Sequence, residues 1–293
     1  EDQTVFWANM NSYGALMNSV QIQRGIGTST NGDGAFGGSI SLATATPNHQ
    51  PTVEVSGSFG TYNTYNAGVN FSTGLLGNHF IFDGAYHETA TDGYLHGTAG
   101  RSGSYYGGLT YVSDNFQIRY KNIGNFEKTG QAWSGVVAGN DDATLMSKDI
   151  KTYKDLYKRG LGRFNPLYEK LVFDGNSRTF STDANGNYQT QRYKMDDGSY
   201  WKKTTDNFYQ NHNILSAVWK PSTAWSHNIA LHYTYGHGYY NEFRPNNKFN
   251  KFGLTATDKN GKAVKRSDFV RKKGLTQHTY GILYNANYKN DSW

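Results

Sequence analysis

The 293-residue chain has no cysteine, only 5 prolines and no uninterrupted apolar run of 18 residues. Without cysteine there are no disulfides, no thiolate metal ligands and no cysteine nucleophile. Without a long apolar run, no segment reads as a transmembrane helix. The start shows no secretory signal, and Glu1 is not an initiator methionine, so the expectation is a processed chain or a piece of a longer one. What is abundant is glycine (34), tyrosine (23) and phenylalanine (16), at a mean hydropathy of −0.73. A net charge of +6 admits nucleic acid, anionic lipid or an acidic small ligand.

From Thr52 onward the sequence alternates with period two, the signature of strands with two unlike faces. Val53, Val55, Gly57 and Phe59 form one face of the first strand, and Ala67, Val69, Phe71 and Thr73 one face of the second. Further strands are predicted around His79–Thr91, Ser104–Val112, Phe116–Lys121 and Asn207–Lys220, then at Ile229–Tyr235 and Tyr280–Tyr288. Connections at 75–78, 113–115 and 221–225 are short, whereas 128–205 and 241–276 are long. Long loops at one end and short turns at the other distinguish an outer-membrane barrel from a soluble sandwich. One face carries Asn, Gly, Ser, Gln and Lys, as a wet lumen would, while the other carries Tyr, Phe and Trp near strand ends, as interfacial girdles do. The predicted fold is therefore all-β, a transmembrane antiparallel β-barrel. Eight strands would close a barrel filled with side chains, leaving no room for the segment before them. These strands are thus expected to be part of a larger barrel.

Before the strands lies Val20–Thr46, VQIQRGIGTSTNGDGAFGGSISLATAT. Arg24-Gly25, Gly27-Thr28-Ser29, small residues to Gly34, then Ala35-Phe36-Gly37-Gly38-Ser39-Ile40 resemble the plug ending of TonB-dependent outer-membrane receptors. The resemblance is to the siderophore or iron-complex type of the Bacteroidetes-like branch; glycan importers show a different plug ending. It implies residues 1–46 as the C-terminal part of a luminal plug and 47–293 as about eight strands of a barrel of 22. It implies active import of a ferric siderophore or related iron complex across the outer membrane of a Gram-negative bacterium, driven by TonB and its inner-membrane complex. Haem, cobalamin or a glycan is the alternative cargo within the family; an adhesin or a passive porin is the alternative outside it. Nothing in the chain matches a TonB box.

The resemblance also assigns Arg24 as a latch between plug and barrel, because an Arg fork suits a carboxylate across that interface. Gly25, Gly27, Gly32, Gly34, Gly37 and Gly38 would allow tight turns inside the lumen. Gly32-Asp33-Gly34-Ala35-Phe36-Gly37 also fits G-x-G-x-x-G, but the β-forming Ser39–Thr46 follows where a dinucleotide site needs a helix.

Ligand recognition is expected in the first long loop. Trp133, Tyr153, Tyr157, Arg159, Arg163 and Trp201 combine flat aromatics with guanidinium groups, which suit an anionic, aromatic-bearing chelate. Ile150, Tyr153 and Tyr157 at helical spacing predict a short amphipathic helix within Lys148–Lys158. The cations of the second loop suit lipopolysaccharide phosphates or solvent. No histidine pair has chelating geometry: His232 and His237 point to opposite faces, and His79 and His87 lie about 27 Å apart along a strand. His96 would be the loop histidine for haem. No metal site, cofactor, nucleic-acid partner or enzyme constellation is predicted.

Overall fold

A computed structural model describes residues 12–25, 37–135, 150–177 and 179–289. The predicted strands all form. β1 (Met17–Arg24) and β2 (Gly38–Thr44) pair with each other. β3 (Thr52–Gly60), β4 (Thr64–Ser72), β5 (Phe80–Thr91), β6 (Gly100–Val112) and β7 (Phe116–Gly130) follow as an antiparallel meander. The insertion after β7 carries helix α1 (Tyr153–Lys158) and four short strands: β8 (Glu169–Leu171), β9 (Phe173–Asp174), β10 (Thr179–Phe180) and β11 (Thr190–Arg192). The meander resumes with β12 (Thr205–Trp219) and β13 (Trp225–Lys248), passes the small hairpin β14 (Ala256–Thr257) and β15 (Ala263–Val264), and reaches β16 (Arg266–Tyr288). β3, β4, β5, β6, β7, β12, β13 and β16 make one eight-stranded sheet of sequential neighbours.

Several strands run further than their alternation suggests, among them β7, which continues past Lys121 to Gly130. β13 extends to Lys248 and β16 begins at Arg266, so the second loop shrinks to residues 249–265 rather than 241–276. Tyr239-Tyr240-Asn241-Glu242 carries no apolar–polar contrast to read.

Register partners share a face. One face carries Ala85, Tyr106, Ile123, His212 and Thr234 in a continuous cross-strand row. The N-terminal segment sits on this face. Tyr13 and Leu16 of a 3-10 turn pack with Ile123, and Ala85, Tyr106 and Ile214 surround them. The opposite face belongs to residues such as Val55, Leu109, Ile118, Leu231, Tyr280 and Ile282. No described residue covers it: Val55 is 78% and Tyr280 82% exposed. An apolar sheet face that no described residue covers is what a lipid-facing wall presents. It is not uniformly apolar. Asn122, Asn211 and Asn213 lie on it and hydrogen-bond one another, with Tyr105 and Tyr120 completing the set. Mutual pairing of this kind lets polar side chains face a low-dielectric medium. At Gly124 a Cβ would overlap the Tyr105 ring that lies across it, so this strand position requires glycine.

Candidate functional site

The sheet has two unlike ends. Turns 73–79, 113–115 and 220–224 define one; the other carries the loops 92–99, 131–204 and 249–265 together with the tight turn at Tyr62-Asn63. The long insertion folds on itself. Ile150, Leu156, Leu161, Phe164 and Leu171 make its core, with Phe180 and Tyr188 against them. Thr152 and Asp155 cap α1 reciprocally: the Thr152 hydroxyl accepts from the Asp155 amide, and the Asp155 carboxylate accepts from the Thr152 amide. The Thr152 hydroxyl also donates to that carboxylate at 2.8 Å, which holds the Asp155 carboxyl below the usual range. The helix begins later than its sequence spacing suggests. Ile150 precedes it and is fully buried, while Leu156 turns inward from the helix.

That orientation puts Tyr153 and Tyr157 on the open side, 65% and 49% exposed. Their rings meet edge-on with centroids 5.2 Å apart and hydroxyls 3.1 Å apart. The Tyr157 hydroxyl also hydrogen-bonds the Tyr94 hydroxyl. Tyr94 in turn meets Tyr62 edge-on at 5.4 Å. Arg163 sits over both rings, 5.6 Å from the Tyr62 centroid and 6.0 Å from that of Tyr94. Its Nε donates to the Tyr94 carbonyl at 2.7 Å, and its own carbonyl accepts from the His96 amide. Four tyrosines from three loops thus form one cluster, with a guanidinium over two of them. Such a surface offers hydroxyl donors and aromatic faces beside a fixed positive charge, suited to a flat anionic ligand.

The remaining predicted loop residues go elsewhere. Arg159 packs over Tyr188 at 4.4 Å, inside the insertion. Trp133 meets Tyr240 edge-on at 5.8 Å, and Lys273 and Arg271 reach the same Tyr240 ring. It belongs to a second aromatic–cation group, on the face that carries the N-terminal segment. Trp201 is a core residue: only 7% exposed, it packs with Tyr193 and Phe243 and is not open to a ligand. Burial among these groups pushes the Tyr193 phenol up to about 12, so it stays neutral. His96 is committed to Glu169, its Nδ1 lying 2.6 Å from the carboxylate. Among the described residues no His, Asp and Glu cluster could hold a metal ion.

Sequence reasoning missed Tyr62, Tyr94 and Tyr240, and assigned Lys273 with the other second-loop cations to lipopolysaccharide phosphates or solvent. One local signal existed at Tyr62. With φ of 57° there and 51° at Asn63, the hairpin is of the I′ type, usually left to Asn and Gly. A tyrosine held in the left-handed region is strained and often functional.

The N-terminal segment meets the wall through a second constellation. Arg119, on β7, donates to the Ala45 carbonyl at 3.3 Å, and Lys121 lies 3.4 Å from the Thr44 hydroxyl. The Ser104 hydroxyl donates to the Ser12 carbonyl, and that of Ser72 to the Asn48 carbonyl. Arg119 is fixed from behind by Asp83 at 2.9 Å and by the Tyr106 hydroxyl, with Arg119 and Asp83 both buried. A polar cavity of about 400 Å³ lies alongside, lined by Asn18, Asn48, Glu54, Asn70 and Asp83. Arg24 ends β1 opposite Gly38 and is exposed, and Gly25 follows in the left-handed conformation at φ of 87°. Gly38 opens β2 and Gly37 stands in the bend just before it, whereas Gly27, Gly32 and Gly34 lie outside the described residues.

The chain matches no family model and no curated protein. Solved structures share its fold. The open form of the ferric-catecholate import receptor Fiu from E. coli K12 matches 92% of this chain and 36% of its own, with a TM-score of 0.58 and 9% identity. FpvA of P. aeruginosa, bound to a heterologous ferric pyoverdine, matches 78% of this chain and 25% of its own, at 0.53 and 12%. The siderophore receptor PiuA from Acinetobacter baumannii matches 91% and 32%, at 0.51 and 12%. The chain therefore shares the fold of part of these receptors and spans a quarter to just over a third of their length.

Proposed function

We propose that this chain is part of a receptor that imports a ferric siderophore across the outer membrane of a Gram-negative bacterium, powered by TonB. The observation that carries the reading is the N-terminal segment seated on the polar face of an otherwise lipid-suited wall, which a passive porin or an adhesin does not need. In this reading residues 1–46 end the plug and 47–293 begin the barrel. Arg119 and Lys121 hold the plug's exit strand through a carbonyl and a hydroxyl, contacts that can break singly under force. Arg24 is a second latch, toward a carboxylate elsewhere in the barrel. The 62/94/153/157 tyrosines with Arg163 form the outer ligand surface, and Trp133 with Tyr240 a station nearer the plug.

The fold likeness to receptors for ferric catecholate and pyoverdine supports an iron chelate as cargo. Tyrosine hydroxyls and a guanidinium match the oxygen-rich, anionic periphery of such a chelate. The proposal is tested by titrating the full-length receptor with a ferric catecholate and following quenching of tryptophan fluorescence. Saturable binding that weakens in Arg163→Ala is expected; binding indifferent to that change removes the tyrosine surface from the site.

A further inference from the structure

Near the middle of the lipid-suited face, apolar side chains give way to carboxamides. Asn122 and Asn213 stand opposite each other in register, near the centres of the 15-residue strands β7 and β12. Asn211 shares their face one step closer to the long-loop end. The row of Leu109, Tyr120, Leu215 and Leu231 borders the patch on the short-turn side.

The three carboxamides nearly satisfy one another. Asn122 donates both amide hydrogens, to the Asn211 and Asn213 carbonyls. Asn211 donates both of its own, to the Asn122 carbonyl and the Tyr105 hydroxyl. Asn213 donates one, to the Asn211 carbonyl. The Asn211 and Asn213 oxygens each accept two hydrogen bonds, the second on Asn213 coming from the Tyr120 hydroxyl. The Asn122 oxygen accepts one. Among the described residues one Asn213 N–H and one lone pair of Asn122 Oδ1 are therefore left over. The surface beside them is open: at Gly107, the register partner of Asn122 on β6, an added Cβ would meet nothing within 4 Å. Acyl chains offer neither donor nor acceptor, so lipid cannot complete the set.

We propose that a second copy of the same receptor docks on this patch within the membrane. The leftover groups are one donor and one acceptor, on register partners and hence at nearly one depth. A twofold axis along the membrane normal preserves that depth. Asn213 of each copy then donates to Asn122 of the other, and both leftovers are satisfied by an interface complementary to itself. In a bilayer, apolar contact gives no net drive to association, whereas hydrogen bonds and close approach at small residues do. The carboxamides supply the first and Gly107 the second. The inference rests on the membrane placement proposed above and not on import.

The test uses the full-length receptor, otherwise free of cysteine, in outer membranes isolated from cells that express it. This chain contributes no cysteine of its own. Single cysteines are introduced as Gly107→Cys, beside the patch, and as Val55→Cys, three strands away on the same face, and are oxidised with copper phenanthroline. A disulfide-linked pair of receptors is expected from Gly107→Cys at about fivefold or more the yield of Val55→Cys, with every asparagine intact. Adding Asn122→Leu or Asn213→Leu to Gly107→Cys should each cut the yield about fivefold. The two together should cut it no further, because each removes one end of the same bonds. No linked pair from Gly107→Cys, or equal yields at both positions, overturns the proposal. Linkage to a different protein also overturns it and assigns the patch to that partner. A yield indifferent to both asparagine changes overturns the carboxamide pairing. A receptor missing from the membrane fraction removes the membrane placement itself, an outcome distinct from an inserted receptor that stays unlinked.

Discussion

Tyr62 occupies a turn position that glycine or asparagine would fill without strain, at a cost of roughly 1–2 kcal/mol for a bulky side chain. Its ring contacts with Tyr94 and Arg163 give that strain a purpose. Tyr62→Gly is therefore expected to leave the hairpin as stable as before, or more so by up to about 1 kcal/mol, while weakening chelate binding. Thermal unfolding and ligand titration on the same variant separate the two effects. Arg163→Ala should lower affinity about tenfold or more, and Arg163→Lys should restore only part of it, because an ammonium lacks the planar fork. The two tryptophans should behave oppositely. Trp201→Ala empties a core position at about 3–5 kcal/mol and should expose the insertion to protease. Trp133→Ala should leave protease resistance intact and act on binding alone.

At the scale of elements, α1 is positioned by its cap. The depressed Asp155 carboxyl means that the folded state prefers the ionised form. Its contribution is therefore present above the ordinary carboxylate range and disappears as pH falls through the lower folded-state value. The protection factor of the α1 amides, exchange corrected for its intrinsic pH dependence, should be flat from neutrality to about pH 5 and fall in stronger acid. Asp155→Asn should remove that acid-dependent step. On the wall, Asp83→Asn strands the buried Arg119 charge and should cost about 3–5 kcal/mol. If the seam is as described, protease sensitivity at residues 44–48 should rise with it.

The strands of the wall are legible where their two faces differ, apolar on one side and polar on the other. The stretches read, such as Phe116–Tyr120 of β7 and Ile229–Tyr235 of β13, lie where that contrast is present. It fades in β13 beyond Tyr239, where the rest of the strand has no pattern to read. The candidate surface is half legible. Tyr153, Tyr157 and Arg163 stand out in the sequence because one loop concentrates aromatic and basic residues. Tyr62 and Tyr94 do not, since each is a lone aromatic among turn residues until folding brings three separate loops together. Trp201 misled because composition does not say whether a tryptophan in a loop faces ligand or fills that loop's own core.

For the whole molecule, the proposed function is coupled transport, in which an outer tyrosine–arginine surface would bind the iron chelate and work delivered from the periplasm would displace the seated plug. Binding alone shifts populations only by its differential affinity for the two plug states. Import against a gradient must therefore depend on the energy source. The most direct measurement is uptake of radiolabelled iron, supplied as a ferric catecholate, by cells expressing the full-length receptor with and without functional TonB. Receptor-dependent uptake that vanishes without TonB while surface binding persists is the predicted result. Receptor-dependent uptake at the same rate in both strains would contradict the account and leave a passive channel in its place.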